Sequence, residues 1–280
     1  MSALASWQRL FCETHKVPIQ YIKQAEKALD WLESAVNGQV EPQCIAISGC
    51  QGSGKSTLAA YYVAYLRAHG YLAESVSIDD FYYSKSERQN LAKRLSAPFA
   101  TRGAPGTHDV QAAISVVTQF KQREPFILPQ FDKSTDNPYP VDAWKRVPPK
   151  LDVLIIEGWC LGLPMQPTDL VQSTCNVFEQ QNDPSGQYRA QVNNFLAADY
   201  QVLFEHFDKL VFLNGQKFER VFQWRLEQEK KLIAAKGVGM TNAQVFEFIQ
   251  SYQRLTEWGF ATLPAICDLE LKLDEGRGIS

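Results

Sequence analysis

Short, largely apolar runs alternate along the chain with longer amphipathic stretches, and that alternation sets the first expectation of architecture. Cys44-Ile45-Ala46-Ile47-Ser48, Ser75-Val76-Ser77-Ile78, Leu151 to Ile156 and Leu210-Val211-Phe212-Leu213 have the length and character of buried parallel strands. Between them the spacing becomes helical. Tyr21, Ala25, Ala28, Leu29, Leu32 and Val36 predict a helix over residues 20–36, ended by Asn37-Gly38. Residues 57–69 predict a helix stopped by Gly70, and residues 86–95 a polar one. Val110 to Lys121 predicts another, capped by Thr107 or Asp109. Phe218 to Lys236 reads as a strongly charged helix broken at Gly237-Val238-Gly239, with Glu227, Glu229, Lys230 and Lys231 facing water. Thr241 and Gln244 form a capping-box pattern that opens a last helix to about Trp258. Phe126 to Asp132 is a short extended segment, and residues 133–150 are a loop with a brief strand near Trp144. Residues 160–190 read as an irregular insertion over one end of the sheet. Strands alternating with helices predict an α/β fold with a doubly wound, mostly parallel sheet and a site at the strands' carboxyl ends. One domain is expected over residues 1–280, with a helical extension over 1–40 and a helical lid over about 218–258.

The first strand runs into Gly49-Cys50-Gln51-Gly52-Ser53-Gly54-Lys55-Ser56, with Thr57 opening the next helix. This G-x-x-x-x-G-K-[ST] pattern between strand and helix is a phosphate loop. Its glycines let backbone N–H groups wrap a polyphosphate, and the helix N-terminus adds positive charge. Lys55 is expected to reach the β- and γ-phosphates, and the Ser56 hydroxyl to bind Mg²⁺. The sequence therefore predicts binding of a nucleoside triphosphate. Asp79 and Glu157 close two further strands and are expected beside the loop. A carboxylate at Asp79 can orient a hydroxyl and take its proton, and one at Glu157 can hold Mg²⁺. Asp80 is the rival to Asp79, but neighbours in an extended segment face opposite ways, and Asp79 is preferred. Arg102, Lys133, Arg220 and Arg225 offer fixed positive charge, the last two for phosphate from the charged helix. His108 is a candidate substrate contact.

Composition narrows the partners. A chain of 280 residues with a formal net charge of -3 shows no basic footprint for nucleic acid or an anionic membrane. An anionic substrate must then be held by local Arg and Lys. No apolar run approaches the roughly 20 residues that span a bilayer. Residues 1–15 show neither a long apolar leader core nor a transit-peptide bias, and the six cysteines have no metal or C-x-x-C spacing. A reduced, cytoplasmic protein is expected. No Asn-Lys-x-Asp occurs, which argues against a GTPase switch.

Ser77-Ile78-Asp79-Asp80-Phe81-Tyr82 resembles the Ser-x-Asp-x-Phe-Tyr segment of the phosphoribulokinase, uridine kinase and pantothenate kinase group. Arg102 to Asp109, Leu128 to Ser134 and Ile156 to Trp159 are most similar to the D-glycerate 3-kinases. The resemblance runs from about Ile45 to Leu271. It implies ATP and Mg²⁺, a small-molecule hydroxyl acceptor with the 3-hydroxyl of D-glycerate favoured, Asp79 as base and Glu157 assisting the metal. It also implies that Arg102, His108, Asp109, Asp132 and Lys133 line the acceptor site. Kinases of nucleosides, pantothenate or sugar phosphates are the alternatives, as is a catalytically silent nucleotide-binding protein.

Overall fold

The computed structural model of the protein describes residues 4–279. Three helices come first, α1 (Ser6–His15), α2 (Gln20–Gln24) and α3 (Glu26–Val36). Strand β1 (Gln43–Gly49) then leads into α4 (Lys55–Ala68), and β2 (Ala73–Ser77) into a 3₁₀ turn over Ile78–Phe81. Helices α5 (Lys85–Arg94) and α6 (Val110–Lys121) follow. Four short strands come next: β3 (Phe126–Leu128), β4 (Phe131–Asp132), β5 (Asn137–Pro138) and β6 (Lys145–Val147). Strand β7 (Val153–Gly158) precedes α7 (Thr168–Gln172), α8 (Val177–Asn182), α9 (Gln187–Phe195), a π-helical turn at Leu196–Tyr200 and α10 (Gln201–Phe204). The chain continues through β8 (Lys209–Asn214), α11 (Phe218–Lys236), α12 (Asn242–Thr262) and β9 (Leu269–Lys272).

The main sheet has the order β2-β7-β1-β8-β9, and every pairing in it is parallel. The fold is the doubly wound α/β arrangement that the alternation predicts. Residues 44–47 of β1 and 154–156 of β7 are fully buried because both sheet faces are covered. The pleat sends alternate side chains to opposite layers. Cys44, Ala46, Leu154, Ile156 and Phe212 pack on one side with α6, α9 and α12. Ile45, Ile47, Val153, Ile155, Val211 and Leu213 pack on the other with α4 and the N-terminal helices. No helix among the described residues is long and apolar enough to cross a membrane.

Several elements differ from expectation. The helix expected over 20–36 is interrupted at Ala25, where ψ is 3°. The apolar positions still share one face because Ile22, Ala25, Ala28 and Leu32 all enter the same core. Residues 160–190 are only partly irregular: residues 160–167, 173–176 and 183–186 lie outside helices and strands, and the rest are helical. These short helices are stapled by polar side chains, with Asn176 capping α8 and a buried Arg189–Asp183 pair fixing the start of α9. Strand β9 was not predicted; only Leu271 of its four residues is buried. Glu229 does not face water. It is 3% exposed, pairs with Arg225 at 2.8 Å, and its Oε1 accepts the Met240 N–H at 2.7 Å.

Candidate active site

The loop after β1 follows its glycines. Gly52 and Gly54 have φ of 81° and 93°, a region that other residues enter only with strain. A Cβ on Gly52 would sit 2.8 Å from the Trp224 Cβ, and one on Gly49 would sit 2.9 Å from Leu213 and from the Ser53 Oγ. Gly54 caps α4 without a side-chain bond, so the first N–H groups of that helix have no side-chain cap. Buried Ser48 Oγ, Gln51 Oε1 and Ser53 Oγ have no hydrogen-bond partner among the described residues. Uncapped helix donors, a close-packed backbone cradle and Lys55 are the donor set that a polyphosphate satisfies. Lys55 Nζ meanwhile donates to the Cys50 carbonyl at 3.0 Å. Burial pushes the Cys50 thiol up to about 11, which makes it a packing group and not a nucleophile.

Beside the loop opens a cleft of about 870 Å³ whose walls include Gln51, Gly52, Lys55, Ser56, Asp79, Glu157, Arg102, Lys133 and Arg225. Register explains how distant residues meet here. β1 and β7 run side by side with Ser48 opposite Gly158, so Glu157 lies at the mouth of the loop. The Ser56 hydroxyl donates to Glu157 Oε1 at 2.8 Å. A hydroxyl and a carboxylate on one spot are hard oxygen ligands that suit Mg²⁺.

Strand β2 stops at Ser77, and Asp79 and Asp80 lie in the 3₁₀ turn beyond it. The strand-alternation argument for choosing between them therefore does not apply; their hydrogen bonds distinguish them instead. Asp80 accepts backbone N–H groups from Ser77 at 3.4 Å and Phe131 at 3.2 Å, and so ties β4 to the turn. Asp79 faces the cleft, with Oδ1 accepting from the Tyr82 hydroxyl at 3.0 Å and Oδ2 paired with Lys133 at 2.6 Å. Burial alone would raise the Asp79 carboxyl. The Lys133 charge and the Tyr82 hydroxyl outweigh it and hold the group below the usual carboxylate range. Burial instead leaves Asp80 raised.

Arg102 enters the cleft from a Gly-Pro turn wedged between aromatic rings. Cβ atoms on Gly103 and Gly106 would lie 2.4 Å from the Tyr252 hydroxyl and from the Phe195 ring, which is why both positions are glycine. Trp159 Nε1 donates to the Gly103 carbonyl at 2.9 Å. Arg102 pairs with Asp136 at 2.5 Å, and the same Asp136 oxygen pairs with Arg88 at 2.7 Å. Arg88 is wholly buried, and it also donates to the carbonyls of Tyr83, Ala100 and Asp136.

Four expected contacts lie elsewhere. His108 is 1% exposed and sits behind Tyr82, ring on ring at 4.3 Å, with Nδ1 bonded to the Tyr200 hydroxyl. Burial lowers it to about 4, so it is neutral. Asp109 is spent on capping α6, where it accepts the Ala112 N–H at 3.0 Å. Asp132 is spent on its own turn, accepting from Ser134 and Thr135. Arg220 is not among the residues lining the cleft and donates to the carbonyls of Gly215 and Leu273. Sequence reasoning missed Arg88, Asp136 and Tyr252 as parts of the cleft wall. The Ser-x-Asp-x-Phe-Tyr pattern did carry a signal for Tyr82.

No protein-family profile matches the chain. It is 34% identical over 266 residues to an uncharacterized kinase, mug58, of Schizosaccharomyces pombe, covering 90% of this chain and 95% of that protein. It is 26% identical over 223 residues to the chloroplastic D-glycerate 3-kinase of Arabidopsis thaliana, covering 76% of this chain and 46% of the plant protein. The solved D-glycerate 3-kinase of Cryptococcus neoformans var. grubii shares the fold, with a TM-score of 0.73 at 23% identity over 99% of this chain and 98% of that one. With a phosphate loop at the head of α4 and kinase similarity along nine-tenths of its length, the chain belongs to the D-glycerate 3-kinase-like P-loop kinases.

Proposed function

We propose that the protein transfers the γ-phosphoryl group of ATP to the 3-hydroxyl of D-glycerate. One observation carries the reading. The cleft that holds the phosphate loop also holds a carboxylate, Asp79, paired with Lys133, and a second cation, Arg102, on its wall. Asp79 receives the acceptor's hydroxyl proton, and Lys133 and Arg102 take its carboxylate. Lys55 and the N–H groups of the loop hold the β- and γ-phosphates, with Arg225 approaching from α11. Ser56 and Glu157 would hold Mg²⁺, which when bound neutralises phosphate charge. Helices α11 and α12, over about 218–258, act as a lid that keeps water out. The similarity to a plant D-glycerate 3-kinase supports this acceptor.

A second reading has its own observation. A chamber of about 450 Å³ adjoins the cleft, shares Arg102 and Tyr252 with it, and is lined by Phe178, Tyr188 and Phe248. That space and those rings would suit a larger acceptor such as a nucleoside or pantothenate.

ADP release from Mg-ATP with and without D-glycerate decides between them. Glycerate-dependent release that falls by roughly 10² to 10⁴ in Asp79→Asn, with ATP affinity kept, is the expected result. Release stimulated by nucleosides, pantothenate or sugar phosphates but not by glycerate would transfer the activity to that acceptor.

A further inference from the structure

The outer oxygen of the expected base is already engaged. Asp79 Oδ1 is tied to the Tyr82 hydroxyl, and Oδ2 takes a charge-assisted bond from Lys133 at 2.6 Å. While that ion pair stands, the Lys133 charge lowers the basicity of Asp79 and disfavours a proton on it. Its two partners differ in freedom. Tyr82 is 5% exposed and stacked on His108, whereas the Lys133 side chain is 58% exposed. Lys133 reaches Asp79 because Asp80 pins Phe131 to the 3₁₀ turn and Asp132 tightens the turn that follows. Across the cleft, Arg102 is held by Asp136, which the buried Arg88 fixes in turn. Lys133 is thus the acceptor-side cation whose partner can be exchanged.

We propose that Lys133 gates the base: it restrains Asp79 until an anionic group on the acceptor draws it away. This rests on the reading of Asp79 as the base, and it defines the acceptors as hydroxyl compounds bearing a carboxylate or phosphate close to the reacting hydroxyl. When such an acceptor enters, Lys133 leaves Oδ2 for the anion. The acceptor O–H bond then breaks, its proton passing to Asp79 Oδ2 and its oxygen bonding to the γ-phosphorus. The bond from phosphorus to the bridging oxygen breaks, and ADP leaves with that electron pair. Water and neutral polyols bring no anion, so Lys133 stays on Asp79 and ATP is not wasted. The discrimination appears in kcat, beyond any effect on KM.

The test uses Lys133→Met and Lys133→Arg, with the ATP-induced rise in melting temperature confirming that each variant folds and binds nucleotide. The first readout is ATP hydrolysis without any acceptor. It should rise by about 10-fold or more in Lys133→Met and by less in Lys133→Arg, which keeps a cation at the position. The second is kcat for D-glycerate against glycerol, a gap that should narrow by about 10-fold in Lys133→Met. Hydrolysis unchanged in Lys133→Met, with only the KM for glycerate raised, would make Lys133 an anchor and overturn the gate. The hydrolysis readout needs no organic acceptor. A wild-type enzyme that ignores glycerate therefore overturns the acceptor assignment alone.

Discussion

His108 and Asp79 flank the same tyrosine, and burial treats them in opposite ways. Asp79 keeps its charge because Lys133 lies against it, while His108, sealed between Tyr82 and Tyr200, loses its charge. The unfolded chain protonates His108 near 6.5 and the folded one only near 4. Between those values the unfolded state holds more protons, so stability falls as pH drops through that window, by up to about 3 kcal/mol at its lower end. His108→Gln should flatten this loss, read as a gap in denaturation free energy between wild type and variant that closes from pH 7 to pH 4.5. A variant that keeps the full wild-type slope would contradict the assignment. At this scale the phosphate loop was fully legible, because its eight residues are contiguous and their chemistry is local. The acceptor side was only partly so. A motif places His108, Asp109 and Asp132 near the cleft but does not say where each side chain points. Tyr200, the α6 N-terminus and the turn after β4 claim them instead.

Helices α11 and α12 show how one side chain can set the behaviour of an element. Glu229 reaches from α11 past Gly239 to bond Met240, and it neutralises Arg225, whose guanidinium also lies over the Phe248 ring of α12. The link between the helices turns at Gly237, with φ of 75°. Glu229→Ala removes both anchors and leaves Arg225 unpaired, a loss of about 1–3 kcal/mol. Amide exchange over residues 237–245 should speed up about tenfold or more, and the KM for ATP should rise. Unchanged exchange there would show that the helices hold their link without Glu229. The sequence marked both helix boundaries, since Gly237 and the Thr241–Gln244 box are local signals. It misplaced Glu229, because burial of one charged residue on a charged helix depends on what the partner helix offers. β9 escaped for a similar reason: Leu269-Glu270-Leu271-Lys272 is strand-like only once β8 supplies an edge to pair with.

Across the whole molecule, the segment after β9 links parts that are far apart in the chain. Arg277 donates to the Gly52 carbonyl of the phosphate loop at 2.9 Å, pairs with Glu227 at 2.7 Å and lies over the Trp224 ring. Trp224 Nε1 in turn donates to the Glu275 carbonyl at 2.8 Å. Arg277→Ala should therefore raise the KM for ATP several-fold with little change in kcat, since it loosens the cradle without touching the acceptor side. An effect on kcat alone would argue against this link. The parallel, doubly wound architecture was readable from periodicity; this strap was not, because nothing local marks a loop that bonds to another loop. The order β2-β7-β1-β8-β9 also has a kinetic meaning. Gln43 of β1 lies opposite Val153, and Ile45 opposite Lys209, so the middle strand has no sheet neighbour nearby in sequence. During synthesis its apolar residues must wait, unpaired, until β7 has been made, about 110 residues later. Folding should accordingly be slow and late, with the waiting strand the segment most exposed to aggregation and most dependent on chaperones.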